Sequence, residues 1–210
     1  MQWIIKVCGM TQGDNIRAVE ELGVDWIGFI FFSRSPRCVV QKPCMMPQQA
    51  KRVGVFVNAS IAEIRLRIQE HGLHYVQLHG DESPAFCTEV QALGVGVIKA
   101  FSVGEAGDLE ATLAYEGYCD YYLFDTKSTH LRGGSGAMFD WQLLTTYRGA
   151  TPFLLSGGIG PESLDALRGF KHPLWAGIDL NSRFESAPGV KALPLLAPFI
   201  HEFKKQRLIH

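Results

Sequence analysis

At 210 residues the chain is long enough for one large domain, and 47% hydrophobic with 20% charged residues is the balance of an ordinary core-forming protein, which excludes a disordered chain. A net charge of -1, with no Lys/Arg run outside Lys204-Lys205-Gln206-Arg207, argues against nucleic-acid and anionic-membrane partners. No stretch approaches the roughly 18 consecutive apolar residues of a membrane span. Nor does a positively charged leader precede the strand-like sequence at Trp3, so a cytoplasmic protein is expected. Five cysteines, an odd number without a CxxC pair or zinc-site spacing, predict free thiols rather than a disulfide framework.

The chain opens with Trp3-Ile4-Ile5-Lys6-Val7-Cys8-Gly9-Met10-Thr11, an apolar run ending in a thiol, a glycine and a hydroxyl. Alternation along a strand puts Ile4, Lys6 and Cys8 on one face, with Cys8 outermost where strand meets loop. Read alone, Cys8 is better explained as a small buried hydrophobe. Further runs rich in β-formers start near Trp26, Val53, Tyr75, Gly96, Tyr121, Pro152 and Trp175, making eight at intervals of 21 to 31 residues. Each interval fits one strand, one helix and two short loops.

Helix signals fill the intervals. Ile16, Val19 and Leu22 mark a first helix stopped by Gly23. Ser60-Ile61-Ala62-Glu63 reads as a capping box opening a helix with Ile61, Ile64 and Ile68 on one face and Gly72 at its end. Ser83-Pro84 begins another, with Phe86, Val90 and Leu93 as its stripe and Gly94 as its stop. Asp140 caps a short helix, and Pro161 starts one that carries Leu164 and Leu167 to Gly169. Between Arg37 and Lys51 there is room for little more than a turn or two. Pro194 and Pro198 predict a last helix running mainly from Pro198 onward.

Alternating strands and helices imply a parallel sheet with right-handed crossovers, and eight units let it close. The expected architecture is a small single-domain (β/α)8 barrel over residues 1–210 with a shortened second helix. Function in such barrels sits at the C-terminal strand ends. The polar residues there are Cys8, Arg37, His79, Asp125, Gly157-Gly158 and Asp179. Asp125 closes Tyr121-Tyr122-Leu123-Phe124, where a desolvating apolar wall favours a protonated general acid. The long stretch from Thr126 to Phe139, with Gly133-Gly134-Ser135-Gly136, suits a mobile lid. Gly157 and Gly158 after strand 7, with Asn181 and Ser182 after strand 8, fall where this fold commonly holds a phosphate, so a phosphorylated substrate is inferred. His79 reads as a polar contact rather than a metal ligand, since a metal site needs three or four ligands. Arg37 offers a planar guanidinium for a carboxylate.

Lys6-Val7-Cys8-Gly9-Met10-Thr11, Ser35-Pro36-Arg37, Val53 to Asn58, Val76-Gln77-Leu78-His79-Gly80, Asp125-Thr126-Lys127 with Gly133 to Gly136 and Phe139-Asp140-Trp141, and Ser156-Gly157-Gly158-Ile159 appear in order. Together they resemble the phosphoribosylanthranilate isomerase family of tryptophan biosynthesis over almost the whole chain. The resemblance implies an Amadori rearrangement of N-(5-phosphoribosyl)anthranilate that needs no cofactor or metal. It implies Asp125 as the acid on the ribose ring oxygen and Cys8 as the base at C2. Arg37 would hold the anthranilate end, His79 and Asp179 would contact substrate, and Gly157, Gly158, Asn181 and Ser182 would bind phosphate. A free thiol titrates at about 8.5, so Cys8 needs a lowered pKa, for which Lys6 is the candidate cause, or a C2 proton made acidic by the substrate cation. The small-molecule substrate is the expected partner, and no obligate protein partner is evident. Cys38 stands where the family usually has an aromatic, Arg183-Phe184 where it often has Gly-Val, and Pro188-Gly189-Val190-Lys191-Ala192 closes a signature that usually ends in aspartate. Two other readings are a metal-dependent sugar-phosphate epimerase using Asp125, His79 and Asp179, and a non-catalytic sugar-phosphate-binding barrel.

Overall fold

The computed structural model describes residues 3–126 and 141–206. The stretch from Lys127 to Asp140, which contains the expected lid glycines and the Asp140 cap, lies outside the described residues.

Eight parallel strands close into a barrel: β1 (Ile4–Val7), β2 (Trp26–Ile30), β3 (Lys51–Phe56), β4 (Tyr75–Leu78), β5 (Gly96–Val103), β6 (Tyr121–Thr126), β7 (Phe153–Ser156) and β8 (Trp175–Leu180). Closure is made by β1 against β8, with Ile4 opposite Gly177 and Lys6 opposite Asp179. The fit is tight, because a Cβ on Gly177 would lie 2.0 Å from the Ile4 carbonyl oxygen. Alternation divides the side chains as the strand geometry requires. Ile4, Trp26, Val53, Ile98, Leu123 and Leu154 fill the barrel, and Tyr75 stacks on Trp26 at 4.6 Å between ring centroids. Ile5, Val7, Phe29, Phe56, Tyr122, Phe153 and Ile178 face the helical layer. Polar side chains inside the barrel are thereby confined to its C-terminal end.

Helices α1 (Gly13–Glu21), α2 (Ile61–His71), α3 (Pro84–Gln91), α4 (Leu164–Gly169) and α5 (Leu193–Gln206) lie between or after the strands. Ser60 caps α2 by accepting from the Glu63 backbone N–H at 3.2 Å, and Gly72 ends it in the left-handed region. Ser83 caps α3 in the same way, with Pro84 in its first turn. Among the described residues the units after β5 and β6 carry the 3₁₀ segments Ala106–Tyr115 and Trp141–Thr146.

The second unit has no helix at all between β2 and β3. Its irregular backbone is held instead by Glu20 of α1, whose carboxylate accepts from Gln48, Gln49 and Ala50 N–H at 3.1, 2.7 and 2.8 Å. One expectation is overturned at the C-terminus. Helix α5 begins at Leu193 and runs through Pro198. Pro194 sits in the first turn, where its missing N–H costs nothing, and Pro198 removes only the single bond to the Pro194 carbonyl. Leu196, Phe199, Ile200 and Phe203 are all buried, and their packing outweighs that loss. Lys204 then donates to the Leu22 and Gly23 carbonyls, tying α5 to the end of α1.

Candidate active site

At the C-terminal end of the barrel a cleft of about 290 Å³ is lined by Cys8, Gln77, His79, Asp125, Ser156, Gly157, Gly158, Asp179, Asn181, Ser182 and Arg183, together with Ile30, Val55 and Ile159. All but one of the sequence-predicted site residues therefore converge. The exception is Arg37, which stands behind the Cys8-Gly9 turn.

Cys8 follows β1, its backbone N–H donating to the Leu180 carbonyl at 2.8 Å. The thiol is 3% exposed and lies against β2, where only a glycine fits: a Cβ on Gly28 would come within 2.6 Å of the sulfur. Gly9 turns the chain at φ +75°, and a Cβ there would lie 2.8 Å from both Arg37 Cδ and Asn181 Oδ1. Lys6 is completely buried and its Nζ donates to Asp179 Oδ1 at 2.9 Å; Asp179 Oδ2 accepts from Ser156 Oγ at 3.3 Å. Burial opposes the Lys6 charge, but Asp179 and Cys8 beside it outweigh that and hold its pKa above the ordinary value. Burial also raises the Cys8 pKa, against the pull of Lys6 and Lys191, with Asp179 adding to the rise. The lowered thiol expected from Lys6 is thus not found, because burial outweighs the pull of Lys6 and Lys191 on the thiol. The second route, an acidified C2 proton, is the one this electrostatics leaves.

Arg37 is clamped by Glu185, with Nε 2.9 Å from both carboxylate oxygens and Nη2 2.6 Å from Oε2. Lys191 Nζ donates to Glu185 Oε1 at 2.7 Å and to Asn181 Oδ1 at 2.8 Å, joining the Arg37 region to the loop after β8. Burial works against the Glu185 charge, yet its bonds with Arg37 and Lys191 hold its pKa below the usual carboxylate range. These groups belong to a two-stranded hairpin, β9 (Glu185–Ala187) and β10 (Val190–Lys191), which also receives the Thr11 hydroxyl on the Gly189 carbonyl at 3.0 Å. The hairpin therefore braces the loop that carries Cys8.

Across the cleft, His79 Nε2 lies 3.4 Å from Asp125 Oδ2, and His79 Nδ1 lies 2.9 Å from Gln77 Nε2. The Asp125 side chain is 37% exposed, so the desolvated mouth expected for it is not what surrounds it. Gly157 and Gly158 both have positive φ, +83° and +68°, and with the 3₁₀ turn Ser182–Phe184 they form a concave rim of backbone. Arg183 lines the same rim and pairs with Glu162.

Gln77, Glu185 and Lys191 were not among the residues singled out by strand-end position. Gln77 carried a usable signal, since it shares a strand face with His79. Lys191 lies in the Pro188-Gly189-Val190-Lys191 signature, but nothing in the sequence shows that the hairpin brings it and Glu185 to Arg37. Among the described residues no group of three or more His, Cys, Asp or Glu side chains is placed to hold a metal ion, and Asp179 is turned to Lys6 rather than to His79 and Asp125.

The sequence model of the family described as N-(5'phosphoribosyl)anthranilate (PRA) isomerase matches residues 5–202. The chain is 53% identical over 203 residues to the N-(5'-phosphoribosyl)anthranilate isomerase of Phocaeicola vulgatus, covering 97% of this chain and 98% of that one. The Parabacteroides distasonis protein of the same name is 51% identical, over 95% and 92%. Among solved structures, phosphoribosyl anthranilate isomerase in complex with reduced 1-(o-carboxyphenylamino)-1-deoxyribulose 5-phosphate superposes with a TM-score of 0.79 at 29% identity, covering 97% and 100%. The Thermotoga maritima enzyme gives 0.78 at 31%, covering 100% of both chains. By sequence along nearly its whole length, and by the superposition of its barrel on solved relatives, the chain belongs to the N-(5'-phosphoribosyl)anthranilate isomerase family.

Proposed function

We propose that this cleft isomerises N-(5'-phosphoribosyl)anthranilate to 1-(2-carboxyphenylamino)-1-deoxyribulose 5-phosphate for tryptophan biosynthesis, with Asp125 as general acid and Cys8 as general base. The observation that carries the assignment of roles is that Cys8 and Asp125 line one cleft with Gly157, Gly158, Asn181 and Ser182. In this reading a sugar phosphate anchored on the glycine rim brings its reacting carbons between the thiol and the carboxyl.

Asp125 gives its proton to the ribose ring oxygen. The bond from that oxygen to C1 breaks as the anilino nitrogen lone pair forms a C=N bond, leaving a protonated imine. The Cys8 thiolate then takes the C2 proton, and the C2–H electron pair forms the C1–C2 double bond while the iminium electrons return to nitrogen. The resulting enol gains a proton at C1 and loses its hydroxyl proton to give the ketone. Only protons and electron pairs within the substrate move, so no oxidant or reductant enters. The iminium charge acidifies C2, which answers the raised Cys8 pKa. In this reading Arg37, which Glu185 orients behind the Cys8-Gly9 turn at the margin of the cleft, holds the carboxylate of the anthranilate ring, while His79 and Asp179, which line the cleft, contact the sugar portion. A cytoplasmic setting and action without an obligate protein partner belong to the same reading.

The test is an assay with phosphoribosylanthranilate made in situ, following the loss of anthranilate-type fluorescence. Cys8→Ala and Asp125→Asn are expected to lower kcat by at least about 100-fold, within the usual range for removing an acid or base, while substrate binding is retained. Near-normal turnover in either variant removes that residue from its role. Full activity after chelation excludes the metal-dependent epimerase reading.

A further inference from the structure

Gln77 lies on β4 two residues before His79 and is buried. Its Nε2 is 2.9 Å from His79 Nδ1, and the opposite ring nitrogen, Nε2, is 3.4 Å from Asp125 Oδ2. All three side chains line the cleft. A neutral imidazole carries one N–H, and the partner of one nitrogen decides which of the two bears the proton. With the amide NH₂ directed at Nδ1, that nitrogen must accept, and the proton sits on Nε2 facing the carboxyl.

The amide orientation follows from what surrounds it. As placed, the Gln77 carbonyl oxygen is buried without a hydrogen-bond partner among the described residues. Turning the amide over would bury an NH₂ at that point instead, and an orphaned N–H is the rarer case in folded proteins than an under-satisfied carbonyl. The backbone that bears His79 is also fixed. Glu82 accepts from Asn58 N–H at 2.8 Å and Gly80 N–H at 2.9 Å, and the buried Lys99 donates to the Gly80 carbonyl at 2.7 Å. His79 N–H itself donates to the Phe56 carbonyl at 2.8 Å.

We propose that Gln77 is a positioning residue for the acid step: it holds His79 as the Nε2–H form, so that His79 donates to the carboxylate which Asp125 becomes on releasing its proton. The inference rests on the acid role of Asp125. One proton moves, from the Asp125 carboxyl to the ribose ring oxygen. The His79 proton stays on Nε2, and its hydrogen bond strengthens as negative charge develops on Oδ2. Such a contact stabilises the charged state more than the starting one, so it acts on kcat rather than on binding. At 3.4 Å the contact is long, and it shortens as charge develops on the carboxylate.

The experiment reads the imidazole directly. Enzyme labelled with ¹⁵N-histidine is examined by long-range ¹H–¹⁵N correlation at pH 8, with the His79 signal identified by its loss in His79→Asn. The wild type is expected to show the Nε2–H pattern. Gln77→Leu is expected to lose that preference and to lower kcat roughly tenfold or more, with KM changed less than about twofold. Gln77→Glu keeps the size and polarity of the side chain but can only accept at Nδ1; it is expected to switch His79 to the Nδ1–H form with a similar loss of kcat. A wild-type ring in the Nδ1–H form, or a Gln77→Leu enzyme with unchanged tautomer and turnover, overturns the proposal. Turnover retained in Asp125→Asn overturns the acid reading itself, and the spectrum of the resting enzyme distinguishes that failure from a wrong role for Gln77.

Discussion

Lys6 Nζ donates to Asp179 Oδ1 at 2.9 Å across the seam where β1 meets β8, and both side chains are shut away from solvent. The pair closes the barrel electrostatically at the point where Cys8 leaves the strand. Removing one partner strands the other as an unpaired buried charge. Lys6→Met is therefore expected to cost about 3–5 kcal/mol of stability, whereas Lys6→Met combined with Asp179→Leu recovers most of it. Urea unfolding of the two variants checks this; additive losses would show that the pair is not coupled.

Because burial holds the Cys8 pKa above its ordinary value, little thiolate exists at neutral pH. A base with a raised pKa gains its active form as pH rises. The kcat/KM profile is accordingly expected to climb from pH 7 to 9 with no plateau on the way. A profile already flat at pH 7 contradicts a buried, protonated Cys8 in the free enzyme.

Gly28 makes room for the thiol. A Cβ at that position meets Cys8 Sγ at 2.6 Å and Cys8 Cα at 3.1 Å, so the sulfur must move or the strands must part. Gly28→Ala is expected to cost about 1–3 kcal/mol by overpacking and to lower kcat by displacing the base. Thermal melting and steady-state kinetics on the same preparation measure both effects.

Glu185 presents Arg37 through three contacts of 2.6 to 2.9 Å. Glu185→Gln keeps the shape but removes the charge, and Arg37 loses its fixed orientation. The expected result is a KM raised roughly tenfold with kcat changed much less, the pattern of lost uniform binding. Equal losses in kcat and kcat/KM would assign Glu185 to the transition state instead.

Three histidines, the buried His71 together with His74 and His172, have lowered pKa values that weaken the fold in acid. His74 Nδ1 accepts from the Arg52 N–H at 3.0 Å, and His172 Nδ1 accepts from the Leu174 N–H at 3.1 Å. Burial first, then neighbouring arginines, lowers both pKa values. The folded state thus resists protonation that the unfolded chain accepts, and stability is lost as pH falls below about 6.5 toward the lowered folded values. Tm is expected to be unchanged between pH 7 and 8 and to fall between pH 6.5 and 5, with a shallower fall in His74→Gln, whose amide oxygen replaces the ring acceptor.

Much of this architecture was legible along the chain. The strand runs at Trp26, Tyr75, Gly96, Tyr121 and Trp175 begin where the strands begin, because alternation and punctuating glycines are local properties. The caps at Ser60 and Ser83 are local too. The start of α5 was not legible, since the apolar face that outweighs Pro198 counts only when α5 is packed against the barrel.

At the site the division falls in the same place. Sequence alone determined that Cys8, His79, Asp125, Gly157, Gly158, Asp179, Asn181 and Ser182 stand at strand ends, because parity and strand position are set by neighbours in the chain. Only the tertiary structure decided what each of them faces. It paired Lys6 with Asp179 as well as with Cys8, gave Arg37 to Glu185, and set Gln77 against His79. Charge pairing is decided by distance in space, and residues 173 apart in sequence, as Lys6 and Asp179 are, come within 2.9 Å only when the barrel closes.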